Sequence, residues 1–212
     1  MINYTQQNVN ANLKIAYAEV DYNQKEELFA FLTKSQIDLS EINSLKNESR
    51  QIEWMTIRGI LIHFLAGFCD IEYDEHRKPH LVNCQQHVSI SHSHHMVAVA
   101  IDEKQICGID IQHITPKIQA IKEKFLNPIE LSNCEQADDL KLTLYWSAKE
   151  ALFKIYGKKD IFLKDNIEVE KLSFNEGKGS ATGRIKANGK ISTHQLELKL
   201  VKDYVMAYVV NS

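Results

Sequence analysis

Proline and glycine are scarce in this chain, 3 and 8 of 212 residues, which excludes a collagen-like repeat and leaves no low-complexity linker. Long apolar runs are missing too. The richest, Gly59 to Cys69, is interrupted by His63 and falls well short of the roughly 20 residues that cross a bilayer. The opening Met1-Ile2-Asn3-Tyr4-Thr5-Gln6-Gln7 lacks the basic-then-apolar order of a secretory signal. Cys69, Cys84, Cys107 and Cys134 form no C-x-x-C pair, so they are expected as reduced core thiols, not as disulfides or a zinc knot. There is no excess of positive charge: 25 Lys and Arg against 28 Asp and Glu leave a net charge of −3. That balance argues against a nucleic-acid partner but permits local basic pockets. No P-loop, G-x-S-x-G elbow or Rossmann fingerprint occurs. With 44% hydrophobic and 25% charged residues, the expectation is a soluble, cytoplasmic globular protein without a membrane partner.

What is present reads as an α+β chain. Leu13 to Val20 alternates like a strand, and Gln24 to Leu32 is helical. Ser40 to Ala66 carries apolar residues at helical spacing, with Ser40 as a candidate cap. Ile71 to Val82 has no helical period and contains Lys78-Pro79, so an extended loop is expected. Val88 to Ser91 and Met96 to Ile101 read as strands joined by His92-Ser93-His94-His95, and Ile106 to Gln112 as another strand. Asn127-Pro128 opens a helical region, and the strongest helix runs from Asp139 to Tyr156 with Gly157 just past its end. Ser180 to Lys186 and Ser192 to Val201 flank an Asn188-Gly189 turn, and Val205 to Val210 follows a Lys202-Asp203 turn. Both halves run strand, helices, paired strands. The expectation is two similar α+β halves, residues 1–105 and 106–212, each a small antiparallel sheet packed on helices.

Two segments could carry chemistry. In Gly108-Ile109-Asp110-Ile111-Gln112, strand alternation puts Asp110 and Gln112 on one face with Gly108. An acid beside a residue without a side chain leaves a shallow space for an ion or phosphate. The same pattern also describes an edge strand whose polar face meets water. In Trp146-Ser147-Ala148-Lys149-Glu150-Ala151-Leu152-Phe153-Lys154, Glu150 and Lys154 lie four apart on one helix face, as a site pair or as an ordinary surface ion pair.

Together these segments resemble the Sfp-type 4′-phosphopantetheinyl transferases, whose Gly-x-Asp-x-Glu and Trp-Ser-x-Lys-Glu-x-x-x-Lys motifs they follow. Lys78-Pro79, Ser89-Ile90-Ser91-His92-Ser93, Phe125 and Glu130 stand in the family's order, so the resemblance spans about Lys78 to Lys154. It implies a fold of two halves related by a pseudo-twofold axis, with a coenzyme A cleft between them. It also implies transfer of the 4′-phosphopantetheine arm of coenzyme A to a serine of an apo acyl or peptidyl carrier protein, releasing adenosine 3′,5′-bisphosphate. Mg²⁺ would be held by Asp110 and Glu150, with Gln112 at the third position. Glu150 would be the catalytic base beside Lys149, and Arg50, Lys78, Ser91, His92 and Lys154 would meet coenzyme A. The carrier is expected to be acidic around its serine, with Lys158, Lys159 and Lys164 as part of a basic rim. A monomer suffices, because a duplicated chain supplies both halves.

One departure stands out: Gln112 replaces the family's second acid, and an amide oxygen can ligate a metal but brings no charge. This leaves room for a degenerate module that binds coenzyme A or a carrier with little transfer. Arg50 and Arg58, with Trp54 between, are either a phosphate-binding helix face or a solvated one. Glu130 fits a capping box with Asn127 as well as a metal site. His87, His92, His94 and His95 lie within nine residues, which raises a third reading, a histidine metal site.

Overall fold

The computed structural model describes residues 3–67, 70–134, 136 and 138–210. The chain divides into two compact units, Met1–Gln105 and Ile106–Ser212. Among the described residues both are α+β, with antiparallel sheets packed on helices.

In the N-terminal unit, β1 (Thr5–Asn8), β2 (Leu13–Glu19), β5 (His87–Ser93) and β6 (Met96–Asp102) form a sheet in the order β1-β2-β6-β5. Between β2 and β5 in sequence come α1 (Lys25–Lys34), α2 (Glu48–Leu65) and a hairpin of β3 (Ile71–Tyr73) and β4 (Pro79–Leu81). One sheet face packs on the helices through Ala16, Ala18, Val97, Val99 and Ile101 against Ile52, Ile60 and Leu61. Full burial of such side chains stabilises by roughly 1.5–3 kcal/mol each.

Two expectations change here. The long helix starts at Glu48, where the Asn47 side chain accepts the Ser49 N–H. Ser40 instead opens a short 3-10 turn, Ser40–Ser44, whose side chain caps nothing. The Lys78-Pro79 region is the β3–β4 hairpin and not an extended loop. Asp74 organises its turn by accepting the N–H groups of His76 and Lys78 and a hydrogen bond from His80. Those bonds favour the ionised carboxyl and pull it down to about 2.

The C-terminal unit begins with β7 (Ile109–His113), followed by α3 (Lys122–Phe125), α4 (Pro128–Ser132), α5 (Asp139–Tyr156) and α6 (Leu163–Asn166). Four strands complete it: β8 (Ile167–Asn175), β9 (Lys178–Ala187), β10 (Lys190–Val201) and β11 (Tyr204–Val210), in the order β7-β11-β10-β9-β8. As in the first unit, an early strand pairs with the last one, so the long helix between them is wrapped back onto the sheet. Asp138 caps α5 by accepting the Lys141 N–H, and Gly157, at φ +75°, ends it by donating to the Phe153 carbonyl. Cys107 and Cys134 are buried and Cys84 is half-buried, none of the three in a disulfide, whereas Cys69 lies outside the described residues.

The packing of α5 on β7 depends on Gly108. A Cβ there would lie 2.2 Å from the backbone oxygen of Ala151 and 2.9 Å from the Ile155 side chain. The space left by the missing side chain is therefore filled by the helix itself, and is not the shallow ion pocket expected from the sequence. Gly108→Ala forces a Cβ into a backbone atom, and backbone cannot yield cheaply. The expected loss is about 3 kcal/mol, read from the denaturant midpoint. Gly67→Ala, where a Cβ meets nothing within 4 Å, serves as the near-neutral comparison.

Candidate functional site

Because α5 approaches β7 so closely, Lys154, about one turn after Ala151, reaches the strand. Asp110 and Gln112 pair across β11 with Ala207 and Val205, which lie in the core beneath α5, so both acid and amide sit on the helix-covered face. Lys154 Nζ donates to Asp110 Oδ1 at 3.0 Å and to the Ile109 carbonyl at 2.8 Å. Asp110 is buried at 5% exposure, so the pair is shielded from bulk water. Gln112 Nε2 donates to the His113 carbonyl at 3.3 Å.

Glu150 is half-buried on the same helix face as Lys154. Burial is the main cause that lifts its carboxyl from 4.5 to about 7; the charge of Asp110 adds to the rise and Lys154 opposes it. The two acids named from sequence are thus close enough to repel each other. A hard divalent cation with one or two carboxylates, a carboxamide and waters suits this donor set, and its charge would relieve that repulsion. Among the described residues no three of His, Cys, Asp and Glu come together, so the histidine metal reading has no ligand set. His95 packs edge-on against Tyr22, and His92 is engaged elsewhere.

Lys149 and Glu150 are sequence neighbours with opposite fates, since successive helix positions differ by about 100° in direction. Lys149 is fully buried. Its ammonium donates to the carbonyls of Phe125 (2.7 Å), Leu163 (3.0 Å) and Ile167 (2.7 Å), and lies 2.6 Å from Glu130 Oε2. Glu130 also accepts the N–H groups of Asn127 and Val169, and it completes a capping box with Asn127. Both residues are consumed by internal partners. The structure thus gives Lys149, expected beside the catalytic base, a set of internal partners, and gives Glu130 the capping-box arrangement. The signal was the capping box; nothing local announced the buried ammonium.

In the N-terminal unit, Arg50 and His92 come together. Arg50 Nη1 lies 2.7 Å from His92 Nε2 and 2.7 Å from Oε2 of the buried Glu53. They line a cavity of about 460 Å³ together with Trp54, Arg58, Tyr73 and Arg77. Its helix wall is residues 50, 53, 54, 57 and 58 of α2, an i, i+3, i+4, i+7, i+8 face. The solvated alternative for Arg58 is excluded: it is 2% exposed, stacked 3.4 Å over the Trp54 ring and paired with Glu41 at 3.1 Å. Burial lowers its pKa from the usual arginine value, and Glu41 opposes the shift. Ser91 and Lys78 are not among the residues that line this cavity. Ile90 and His92 line the cavity, so the buried Ser91 between them turns to the other face of β5. Likewise Arg77 and Pro79 line it, whereas Lys78 does not. Glu53, Tyr73 and Arg77 escaped the sequence reading, although the spacing of Glu53 on α2 could have found it.

Residues 106–209 match the 4′-phosphopantetheinyl transferase superfamily. No curated protein matches the chain.

Two measurements check this geometry. A carboxyl whose folded-state pKa is raised contributes stability that is complete below pH 4.5 and lost as pH rises through about 7. Glu150→Gln is therefore expected to raise the thermal midpoint at pH 8 and to leave it unchanged at pH 4.5, in scans without divalent cations. Lys149→Met leaves Glu130 buried without its cation and is expected to cost about 3–5 kcal/mol in chemical denaturation. The Lys149→Met/Glu130→Gln pair should cost less than the sum of the two single changes.

Proposed function

Since residues 106–209 belong to the 4′-phosphopantetheinyl transferase superfamily, we propose that this protein moves the 4′-phosphopantetheine arm of coenzyme A onto a serine hydroxyl of an apo acyl or peptidyl carrier protein. Adenosine 3′,5′-bisphosphate is the leaving product. The observation that carries the reading is the meeting of Asp110, Glu150 and Lys154 where α5 crosses β7.

The serine oxygen attacks the β-phosphorus, the bond from that phosphorus to the bridging oxygen breaks, and the serine proton must leave. Glu150, on the α5 face beside Lys154 and close to Asp110, is assigned as the base, directly or through a water it holds. Asp110 and Glu150, with the Gln112 oxygen, would hold Mg²⁺. When bound, the ion neutralises charge gathering on the phosphoryl oxygens. Lys154 supplies positive charge beside Asp110 and is assigned to a phosphate of coenzyme A. Within the N-terminal unit, Arg50 and His92 line a cavity of their own that suits an anionic group, and the nearby Arg58 and Trp54 stiffen its wall.

The test is the mass of a carrier. Incubation with apo carrier, coenzyme A and Mg²⁺ should add the arm, and no shift on several unrelated apo carriers would overturn the proposal in favour of a binding module. Asp110→Ala and Glu150→Ala are each expected to lower the transfer rate about a hundredfold or more. Gln112→Glu should remain active and reach half-maximal rate at lower Mg²⁺. Full activity in either alanine variant would move the metal site elsewhere.

A further inference from the structure

The loop after α5 presents an aromatic side chain to solvent from an unusually well-anchored backbone. Phe162 is 70% exposed, the most exposed aromatic among the described large apolar residues. Its backbone is not loose: its N–H donates to Asn166 Oδ1 at 2.9 Å, and its carbonyl accepts the Asn166 N–H at 2.9 Å. The next residue, Leu163, gives its carbonyl to the buried Lys149 ammonium. Asn166 Nδ2 holds the Lys186 carbonyl, and Lys164 Nζ reaches the Glu123 carbonyl of α3. A large apolar ring held out on a fixed backbone loses little entropy when a partner covers it, which is the property of a binding hot spot.

The surroundings are basic. Lys158 and Lys159 are exposed in the same loop, and Lys164 joins it to Lys122 and Lys124 of α3. Across residues 122–124 and 158–165 there are five lysines against three acids, on a chain whose total charge is negative. One of those acids, Asp160, is bound by the Tyr156 hydroxyl. Lys158 follows the left-handed Gly157 that ends α5, so the patch begins just past the C-terminus of the helix that carries Glu150 and Lys154.

We propose that Phe162, flanked by Lys158, Lys159 and Lys164, is the docking anchor for the protein substrate, an apo carrier whose contacting face is acidic around an apolar recess. The proposal rests on the transferase reading above and names the surface through which that reading meets its macromolecular partner. Phe162 supplies contact area, and the lysines supply long-range attraction and register. Lys149 ties the anchor's backbone to the helix position beside Glu150, so docking is registered to the proposed base through one buried ammonium.

Equilibrium binding of isotope-labelled apo acyl carrier protein to the full-length protein tests this at low and at moderate salt, with the mass assay run in parallel. Phe162→Ala is expected to weaken carrier binding about tenfold or more, with unchanged KM for coenzyme A and unchanged thermal midpoint. Phe162→Leu should restore most of the affinity. The double variant Lys158→Glu/Lys159→Glu should weaken binding at low salt and lose most of that difference at high salt. Equal carrier affinity in Phe162→Ala, or transfer by a wild-type protein whose carrier binding ignores all three residues, overturns the docking proposal and leaves the transferase reading standing. Phe162-dependent carrier binding without any mass gain supports the surface and overturns the transferase reading instead. Concentration-dependent self-association abolished by Phe162→Ala would assign the surface to a second copy of the chain and overturn the proposal.

Discussion

The close contact between Gly108 and the backbone of Ala151 sets the geometry on which the candidate centre depends. Helices ordinarily keep their distance from a strand by the thickness of the intervening side chains. Here one position has none, and the helix backbone comes within 2.2 Å of where a Cβ would stand. Glu150 and Lys154, just before and one turn after the contact, are short of reach unless the helix sits this low. Lys154 then spans to Asp110 and to the Ile109 carbonyl with ordinary hydrogen-bond lengths. The glycine thus acts on the site only through distance, and contributes no atom to it. Gly183 on β9 differs, since a Cβ there would meet the end of the Leu152 side chain at 2.4 Å and not the helix backbone; it makes room for a side chain of α5.

A second constraint holds the segments around α5. Burying an ammonium is costly unless every donor is used. Lys149 meets that demand with three carbonyls from three separate segments and one carboxylate, itself held by two backbone N–H groups. A hydrophobe of the same volume could fill the space but could not specify which carbonyls gather round it. The ion pair thereby fixes the chain entering α4, the loop leaving α5 and the start of β8 relative to the helix that carries Glu150. Position 149 reads in the sequence as part of a charged helix face, and only the tertiary surroundings reveal that it points inward.

That contrast explains what was legible. The capped ends of α5, the Asn188-Gly189 hairpin and the Asn127–Glu130 box depend on a few consecutive residues, and their chemistry is written locally. The start of α2 was misplaced because Ser40 and Asn47 are both competent caps, and the choice between them is made by the Ser40–Ser44 turn. The β3–β4 hairpin was missed because two three-residue strands carry too little periodicity to stand out. For the site, Asp110, Glu150 and Lys154 could be named from a motif, and strand alternation already sets Ser91 apart from His92, but which of the two faces the cavity is decided by the fold. Arg58 shows the same limit in reverse: a charge at helical spacing suggests water, and stacking on Trp54 with Glu41 alongside is invisible without the fold.

The carboxamide at position 112 follows from the electrostatics of the other two acids. Asp110 is already buried and held by one lysine, and its charge helps push Glu150 to about 7. A third carboxylate on the same strand face would add repulsion to both, and a single ammonium could not offset three negative charges in a shielded place. The fold would then be favoured only at lower pH or with a cation bound. Gln112 keeps an oxygen of similar reach and removes that charge, so the cation-free fold holds two acids near one lysine instead of three. What is surrendered is attraction for the cation, since an amide dipole binds a hard ion less strongly than a full charge. On the proposed metal reading, the residue at 112 is therefore where stability of the cation-free fold and affinity for the cation would oppose each other.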